Sequence, residues 1–286
     1  MRALITGASG LVGYQIARTM TARGWRMVYL GRNPVDEISW ELGEDPDLPP
    51  ADVLIHCALD HVPGLYRGGE GSDPAGFRRR NLMGTLTLAR AAQRAGVPRI
   101  AFLSSRAIYG SQPPGQRLTE ETSPNPDTLY GAMKLETEHA LNQMSTPDFT
   151  AVSVRATGVY GEPPSGRNHK WHSLFEDFVA GLAIKPRSGT EIHGIDLAYA
   201  VMRLVDAPPG AYNVSDIILD RADLLSRFAA LTGIAGKLPP RADAEALNVM
   251  LTEKLRALGW TPGGMSRFDQ TLPQLVQRQY AVQESA

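Results

Sequence analysis

The sequence predicts an α/β fold: a doubly wound parallel sheet with a small lobe at its C-terminal end. Three observations predict it. Short apolar runs alternate with segments of helical period through the first 160 residues, the first run ends in a glycine cluster, and the later chain breaks into short Gly- and Pro-rich pieces. The reading divides the chain into a dinucleotide-binding part, residues 1–160, and a small lobe, residues 161–286, interleaved with the last sheet elements.

Taken in order, ALIT (3–6) reads as a buried strand and LVGYQIARTMTARG (11–24) as a helix stopped by Gly24. MVYL (27–30) is the second strand, and ISWELGED supplies an edge strand after it. DVLIHCA (52–58), RIAFLSS (99–105) and FTAVSVR (149–155) are further buried strands. Between them FRRRNLMGTLTLARAAQRAG (77–96) ends as a helix at Gly96 before Pro98, and TLYGAMKLETEHALNQM (128–144) forms another. Arg78, Arg79 and Arg80 read as a solvated helix start. Past residue 160, SLFEDFVAGLAI is a short helix, IDLAYAVMRLV (195–205) is amphipathic, GAYNVSD (210–216) offers a last strand, and two helices follow.

Composition narrows the function. A formal net charge of -1 excludes a basic nucleic-acid or membrane-surface protein, and no apolar run approaches the ~20 residues that span a bilayer. A single cysteine, Cys57, and a start at Met1 and Arg2 without a signal peptide lead us to expect a cytoplasmic protein.

The first strand runs into TGASGLVG, where Gly7, Gly10 and Gly13 stand three apart and a helix opens behind them. Such glycines allow a tight turn and let backbone N–H groups approach a pyrophosphate at the helix's positive end. Gly7, Ser9, Gly10, Leu11, Val12 and Gly13 are therefore candidate cofactor contacts in a Rossmann-type sheet, since the motif sits between strand and helix. An acid at the end of the second strand would bind the ribose of NAD, and an arginine would accept the extra phosphate of NADP. Gly31 occupies that place and Arg32 follows, so NADP is favoured over NAD, with a solvated loop cation as the alternative for Arg32. Glu41 and Leu42 are placed near the adenine.

YGAMK puts Tyr130 and Lys134 on one helical face, an arrangement that recurs by chance unless its company supports it. A tyrosine working as a general acid or base needs its pKa of about 10 lowered by ~3 units, which an ammonium at ~4 Å can supply. Ser104 and Ser105 end a strand where a hydroxyl could hold a substrate oxygen, though serine there is usually a turn residue.

With these residues in place, the chain resembles the extended short-chain dehydrogenase/reductases, the NAD(P)-dependent epimerase/dehydratase group. The likeness runs from TGASGLVG through IHCA, NLMGTLTLARAAQRAGVPRIAFLSS, AIYG, YGAMK and VRATGVYG to TEKLRALGWTP. It implies Ser105 as catalytic serine, Tyr130 as proton-transfer group, and Lys134 as the residue that tunes Tyr130 and binds the nicotinamide ribose. It also implies Asn81, Cys57, Ala58 and Leu103 as cofactor neighbours, Arg187 as a hold on the substrate's anionic part, and a homodimer through the helices at 77–96 and 128–144. Ser105, Arg106 and Ala107 stand where the family's dehydratases carry Thr-Asp-Glu, which argues against water elimination.

Arg106, Arg167, His172 and the stretch HVPGLYRGGEG (61–71) lie on loops suited to an anionic, sugar-like substrate. His169 and His172 lack partners at metal-ligand spacing, so no metal is expected. The expected activity is hydride transfer at a secondary alcohol or ketone of a sugar, sugar acid or sugar nucleotide. The alternatives are an NAD-dependent nucleotide-sugar 4-epimerase and a non-catalytic NADP(H)-binding redox sensor.

Overall fold

The computed structural model describes residues 1–33, 36–62, 65 and 68–281. Along the chain lie β1 (Arg2–Thr6), α1 (Leu11–Ala22), β2 (Arg26–Gly31), β3 (Ile38–Ser39), β4 (Val53–His56), α2 (Pro74–Arg78), α3 (Gly84–Arg94) and β5 (Arg99–Ser105). A π-helical stretch, Arg79–Met83, joins α2 to α3. There follow α4 (Leu129–Gln143), β6 (Thr150–Ala156), β7 (Gly158–Tyr160), α5 (His172–Val179), β8 (Ser188–His193), α6 (Gly194–Leu204), β9 (Gly210–Val214), β10 (Ile217–Asp220), α7 (Arg221–Thr232), α8 (Glu253–Arg256) and α9 (Gly264–Ala281).

The main sheet is parallel throughout, in the order β3-β2-β1-β4-β5-β6-β9. Its strands are apolar on both faces because both faces are covered. On one side Ile16 and Met20 of α1 pack with Leu197, Val201 and Leu204 of α6. On the other, Leu86 and Leu88 of α3 pack with Leu141 of α4 and Phe102 of β5. The chain order reverses between β1 and β4, the place where sheets of this kind leave a crevice beyond their carboxyl ends.

Two expectations change. The edge strand shrinks to Ile38–Ser39, with Trp40 donating back to the Gly31 carbonyl and Leu42 bridging Glu44. The later chain also holds a second sheet, β10-β8-β7, over a core of Tyr160, Trp171, Phe175, Phe228 and Phe268. Among the described residues, three helices rather than two follow β10. The arginine run is tied down rather than merely solvated: Arg78 pairs with Glu136, and Arg80 with Asp60 and Asp73. No helix of the described residues is long and apolar enough to cross a membrane.

Candidate active site

The glycine turn is shaped by what has no room. Gly7 sits at φ +71°, and a Cβ there would stand 2.7 Å from the backbone of Cys57 and Ala58. A Cβ on Gly13 would come within 2.7 Å of the Gly7 carbonyl carbon. Both glycines are demanded by the protein's own packing. Gly10 is not: it is extended (φ -88°, ψ 162°), and a Cβ there would meet only the Gly7 oxygen, at 3.5 Å. What a side chain at Gly10 would fill is the space in front of α1, whose first turn has neither a side-chain cap nor an acid. That is a cradle suited to a pyrophosphate, with Ser9, Leu11 and Val12 on its rim.

Beneath it runs a chain of hydrogen bonds. The Ala58 N–H donates to Thr6 Oγ1 (3.1 Å), Thr6 Oγ1 lies 2.7 Å from His56 Nδ1, and His56 Nε2 lies 2.9 Å from Thr85 Oγ1. Thr85 donates to the Asn81 carbonyl (2.6 Å), so each hydroxyl proton is spoken for only if His56 is neutral with its proton on Nε2. Burial, with the Lys134 charge adding to it, pushes His56 down to about 3, in agreement. Asn81 lies where the resemblance places it, and its side chain holds the strand-end segment: Nδ2 donates to the Asp60 and Phe77 carbonyls, and Oδ1 accepts from the Asp60 N–H. The Cys57 thiol, pushed up to about 12 by burial, is a packed group and not a nucleophile.

At the end of β5 the two serines separate. Ser104 is buried and donates to Glu138, which also receives the Arg155 guanidinium (2.7 Å). Ser105 is partly exposed, and its Oγ accepts from the Ala107 N–H (3.1 Å), capping a single 3₁₀ turn. Helix α4 starts against that turn: Thr128 caps it by accepting from the Gly131 N–H, and a Cβ on Gly131 would stand 3.0 Å from the Ala107 carbonyl carbon. The glycine of YGAMK thus allows the first turn of α4, which carries Tyr130, to close on the segment carrying Ser105.

One turn on, Lys134 is buried. Its Nζ donates to the Leu103 carbonyl (2.7 Å), 4.5 Å from the Phe102 ring centroid and 5.8 Å from that of Tyr130. Burial pushes its pKa down to about 8, opposed by Cys57 and Glu138. Glu138 and Arg155, a buried pair (2.7 Å) beneath this face of α4, gave no signal in the sequence beyond their types.

The other candidates are more scattered. Arg32 is exposed and 3.9 Å from Glu41, while Leu42 packs toward α3, 3.1 Å from where a Gly84 Cβ would be. Arg106 donates to the Asn248 carbonyl (2.9 Å), and His172 pairs with Glu176 (3.1 Å) along α5. Arg167 and Arg187 are exposed, the latter close enough to the buried Lys170–Glu191 pair to act on both charges. That pair, over Gly158 at the end of β6, was not foreseen. His169 is spent on Gln279 Oε1 (2.8 Å). Of the stretch 61–71, Pro63, Gly64, Tyr66 and Arg67 lie outside the described residues.

Comparison with known proteins agrees with this geometry. A UDP-glucose 4-epimerase of Yersinia pestis is 26% identical over 223 residues, covering 68% of this chain and 65% of its own length, so the chain spans less than two thirds of that relative. The Thermus thermophilus UDP-glucose 4-epimerase in complex with NAD is 25% identical, with a TM-score of 0.75 over 98% of this chain and 99% of its own. RMD from Pseudomonas aeruginosa complexed with NADPH, 23% identical, shares the fold with a TM-score of 0.78 over 98% and 97% of the two chains. A model of the NAD dependent epimerase/dehydratase family matches residues 3–215. Three quarters of the sequence, cradle and YGAMK helix included, therefore fall within that match, and the chain belongs to the NAD-dependent epimerase/dehydratase family.

Proposed function

We propose that this protein is a nicotinamide-dependent oxidoreductase or epimerase acting at a secondary alcohol or ketone carbon of a sugar, sugar acid or sugar nucleotide. The observation that carries the reading is the buried Lys134 ammonium, 5.8 Å from the Tyr130 ring centroid on the helix that closes against Ser105. A unit charge at that distance in an effective dielectric of ~20 favours a phenolate by about 3 kcal/mol. Tyr130 then takes the proton of the substrate hydroxyl as it becomes a carbonyl and returns it in the reverse direction, while the Ser105 hydroxyl donates to the substrate oxygen and holds it. Gly7, Gly10, Gly13 and the first turn of α1 would hold the cofactor's pyrophosphate, and Lys134 its nicotinamide ribose. A bound nicotinamide supplies the hydride acceptor and donor.

The lobe beyond residue 160 would cover the substrate, with Arg167, His172 and Arg187 disposed toward its anionic part. The relatives named UDP-glucose 4-epimerase favour a second, narrower reading: inversion at a carbon of a nucleoside-diphosphate sugar. For the cofactor, Arg32 argues for NADP, and the folded loop after β2 argues against it. A homodimer through α3 and α4 belongs to the same reading and is checked by sedimentation.

The test is incubation of the purified protein with NAD or NADP and a panel of UDP-sugars, uronates and aldonates, followed by product analysis. Interconversion of two epimers without net cofactor reduction would establish the epimerase. Tight cofactor binding without turnover on any member would replace the enzyme by a redox sensor.

A further inference from the structure

We infer that Asp36 supplies the ribose-binding acid missing from the end of β2, and that it makes this chain prefer NAD to NADP. The inference rests on the nicotinamide-cofactor reading above.

Along the chain, Gly31 stands where an acid would be expected. In space the place is filled. The direction in which a Gly31 side chain would point is occupied by the Asp36 carboxylate, whose Oδ2 lies 2.5 Å from the ideal Cβ position. An acid at position 31 would put its carboxyl group in the same neighbourhood, so Gly31 and Asp36 together do what one residue does elsewhere. The loop is fixed to hold it there: the Asn33 N–H donates to Asp36 Oδ2 (2.9 Å) and the Asp36 N–H to the Asn33 carbonyl (3.0 Å). Oδ1 and the second lone pair of Oδ2 are left for another donor.

The location fits a ribose. Thr6 of β1 is in register with Leu30 of β2, which brings Gly7 and Gly31 level across neighbouring strands, ~5 Å apart by ordinary sheet spacing. Asp36 is therefore one strand over from the first glycine of the cradle, where the adenosine ribose of a dinucleotide lies relative to its pyrophosphate.

Charge completes the case. A 2'-phosphate would face Asp36 at close range, and Arg32, the cation expected to receive it, is already shared with Glu41 at 3.9 Å with its side chain 78% exposed. One shared, solvated cation does not offset two carboxylates. A charge-assisted hydrogen bond from the ribose 2'-hydroxyl to Asp36 corresponds to about tenfold to hundredfold in affinity.

The experiment measures binding rather than activity. Full-length protein, Asp36→Asn and Arg32→Ala are titrated with NADH and NADPH by fluorescence, and with 5'-AMP and 2',5'-ADP by calorimetry. Asp36→Asn keeps an oxygen for Asn33 while removing the charge, and Asp36→Ser serves if its melting temperature falls. Wild type should bind NADH and 5'-AMP at least tenfold more tightly than their 2'-phosphorylated counterparts. Asp36→Asn should cut that ratio by about tenfold or more, and Arg32→Ala should leave NADH binding unchanged. Wild-type preference for NADPH, or a ratio unmoved within twofold in both Asp36 variants, would reduce Asp36 to a loop staple and overturn the inference. Failure to bind either dinucleotide would overturn it by a separate route, because the cofactor reading itself would fall.

Discussion

At the glycine turn between β1 and α1 the working parts are backbone N–H groups and the absence of side chains at Gly7 and Gly13. In the later lobe they are long cations, Arg167 and Arg187 on the surface and Lys170 held by Glu191 beneath. The first kind of site is set by strand-turn-helix geometry and can be occupied as soon as the chain folds. The second depends on which ion pairs the loops choose, and those pairs compete with any ligand for the same charges. The cofactor end should therefore respond to substitution in an all-or-none way, and the lobe in a graded way.

The sharpest test of that contrast is Tyr130→Phe. Proton transfer by a positioned side chain is worth about 10²- to 10⁴-fold, so turnover should fall by that factor while NADH affinity, measured by fluorescence, stays within twofold. Loss of binding along with turnover would mean that Tyr130 supports the fold of α4 and not the reaction.

Acid comes next. His169 and His193, both outside the nucleotide half, are pushed down to about 4, in each case chiefly by burial. The unfolded chain holds more protons than the folded one between that value and 6.5, so stability is fully present above pH 6.5 and is lost as pH falls toward 4. Each histidine contributes about 3 kcal/mol over that window. Urea melts at pH 7 and pH 4.5 should differ steeply, and His169→Gln should flatten the difference. An unchanged slope would show that carboxylates, not these rings, govern acid unfolding.

Within the cradle itself, Gly13→Ala and Gly10→Ala should separate. The first drives a Cβ into the Gly7 carbonyl and should cost about 1 to 3 kcal/mol of stability. The second has room, so its melting temperature should stay near wild type while NADH affinity drops about tenfold. Equal melting temperatures for the two variants would remove the distinction between glycines the protein needs and the one its ligand needs.

Lys134→Met carries an opposite sign for stability and function. An amine whose pKa falls from 10.5 to about 8 on folding costs about 3 kcal/mol at neutral pH, offset in part by its bond to the Leu103 carbonyl. The variant should be more stable by about 1 to 2 kcal/mol and nearly inactive. Between pH 8 and 10.5 the unfolded wild type binds the extra proton, so wild-type stability recovers with rising pH and the gap closes. Thermal melts at pH 7 and 9.5 test this directly.

How far the sequence reveals the molecule follows the same division. Gly7, Gly10, Gly13, Tyr130 and Lys134 are legible because period and position fix where their side chains go. So is the parallel sheet, whose strands are uninterrupted apolar runs. The second sheet is not, because β7 has only three residues and β8, SGTEIH, carries no alternation to mark its buried face. Asp36 escapes because its carboxylate reaches the end of β2 across a loop, from five residues downstream of the position that sequence spacing singles out. Ser104 and Ser105 look equivalent in sequence, and only Glu138, 34 residues after Ser104, separates the buried one from the exposed one. Interactions set by the local chain can be read; those set by a partner across the fold cannot.

Arg187→Ala should have the smallest effect, and it tests the graded half of the comparison. The side chain is exposed, and the neighbouring backbone bond, from the Arg221 N–H to the Arg187 carbonyl, survives its removal. Stability should change by no more than about 0.5 kcal/mol. If Arg187 holds the anionic part of the substrate in ground state and transition state alike, KM should rise several-fold with kcat unchanged. The rise should shrink with added salt, since a solvated pair is screened within a Debye length of ~8 Å at physiological ionic strength. A neutral substrate of the same sugar should show no rise at all. Equal losses on charged and neutral substrates would mean that Arg187 acts through the Lys170–Glu191 pair beneath it, and the lobe would then be a built site like the cradle.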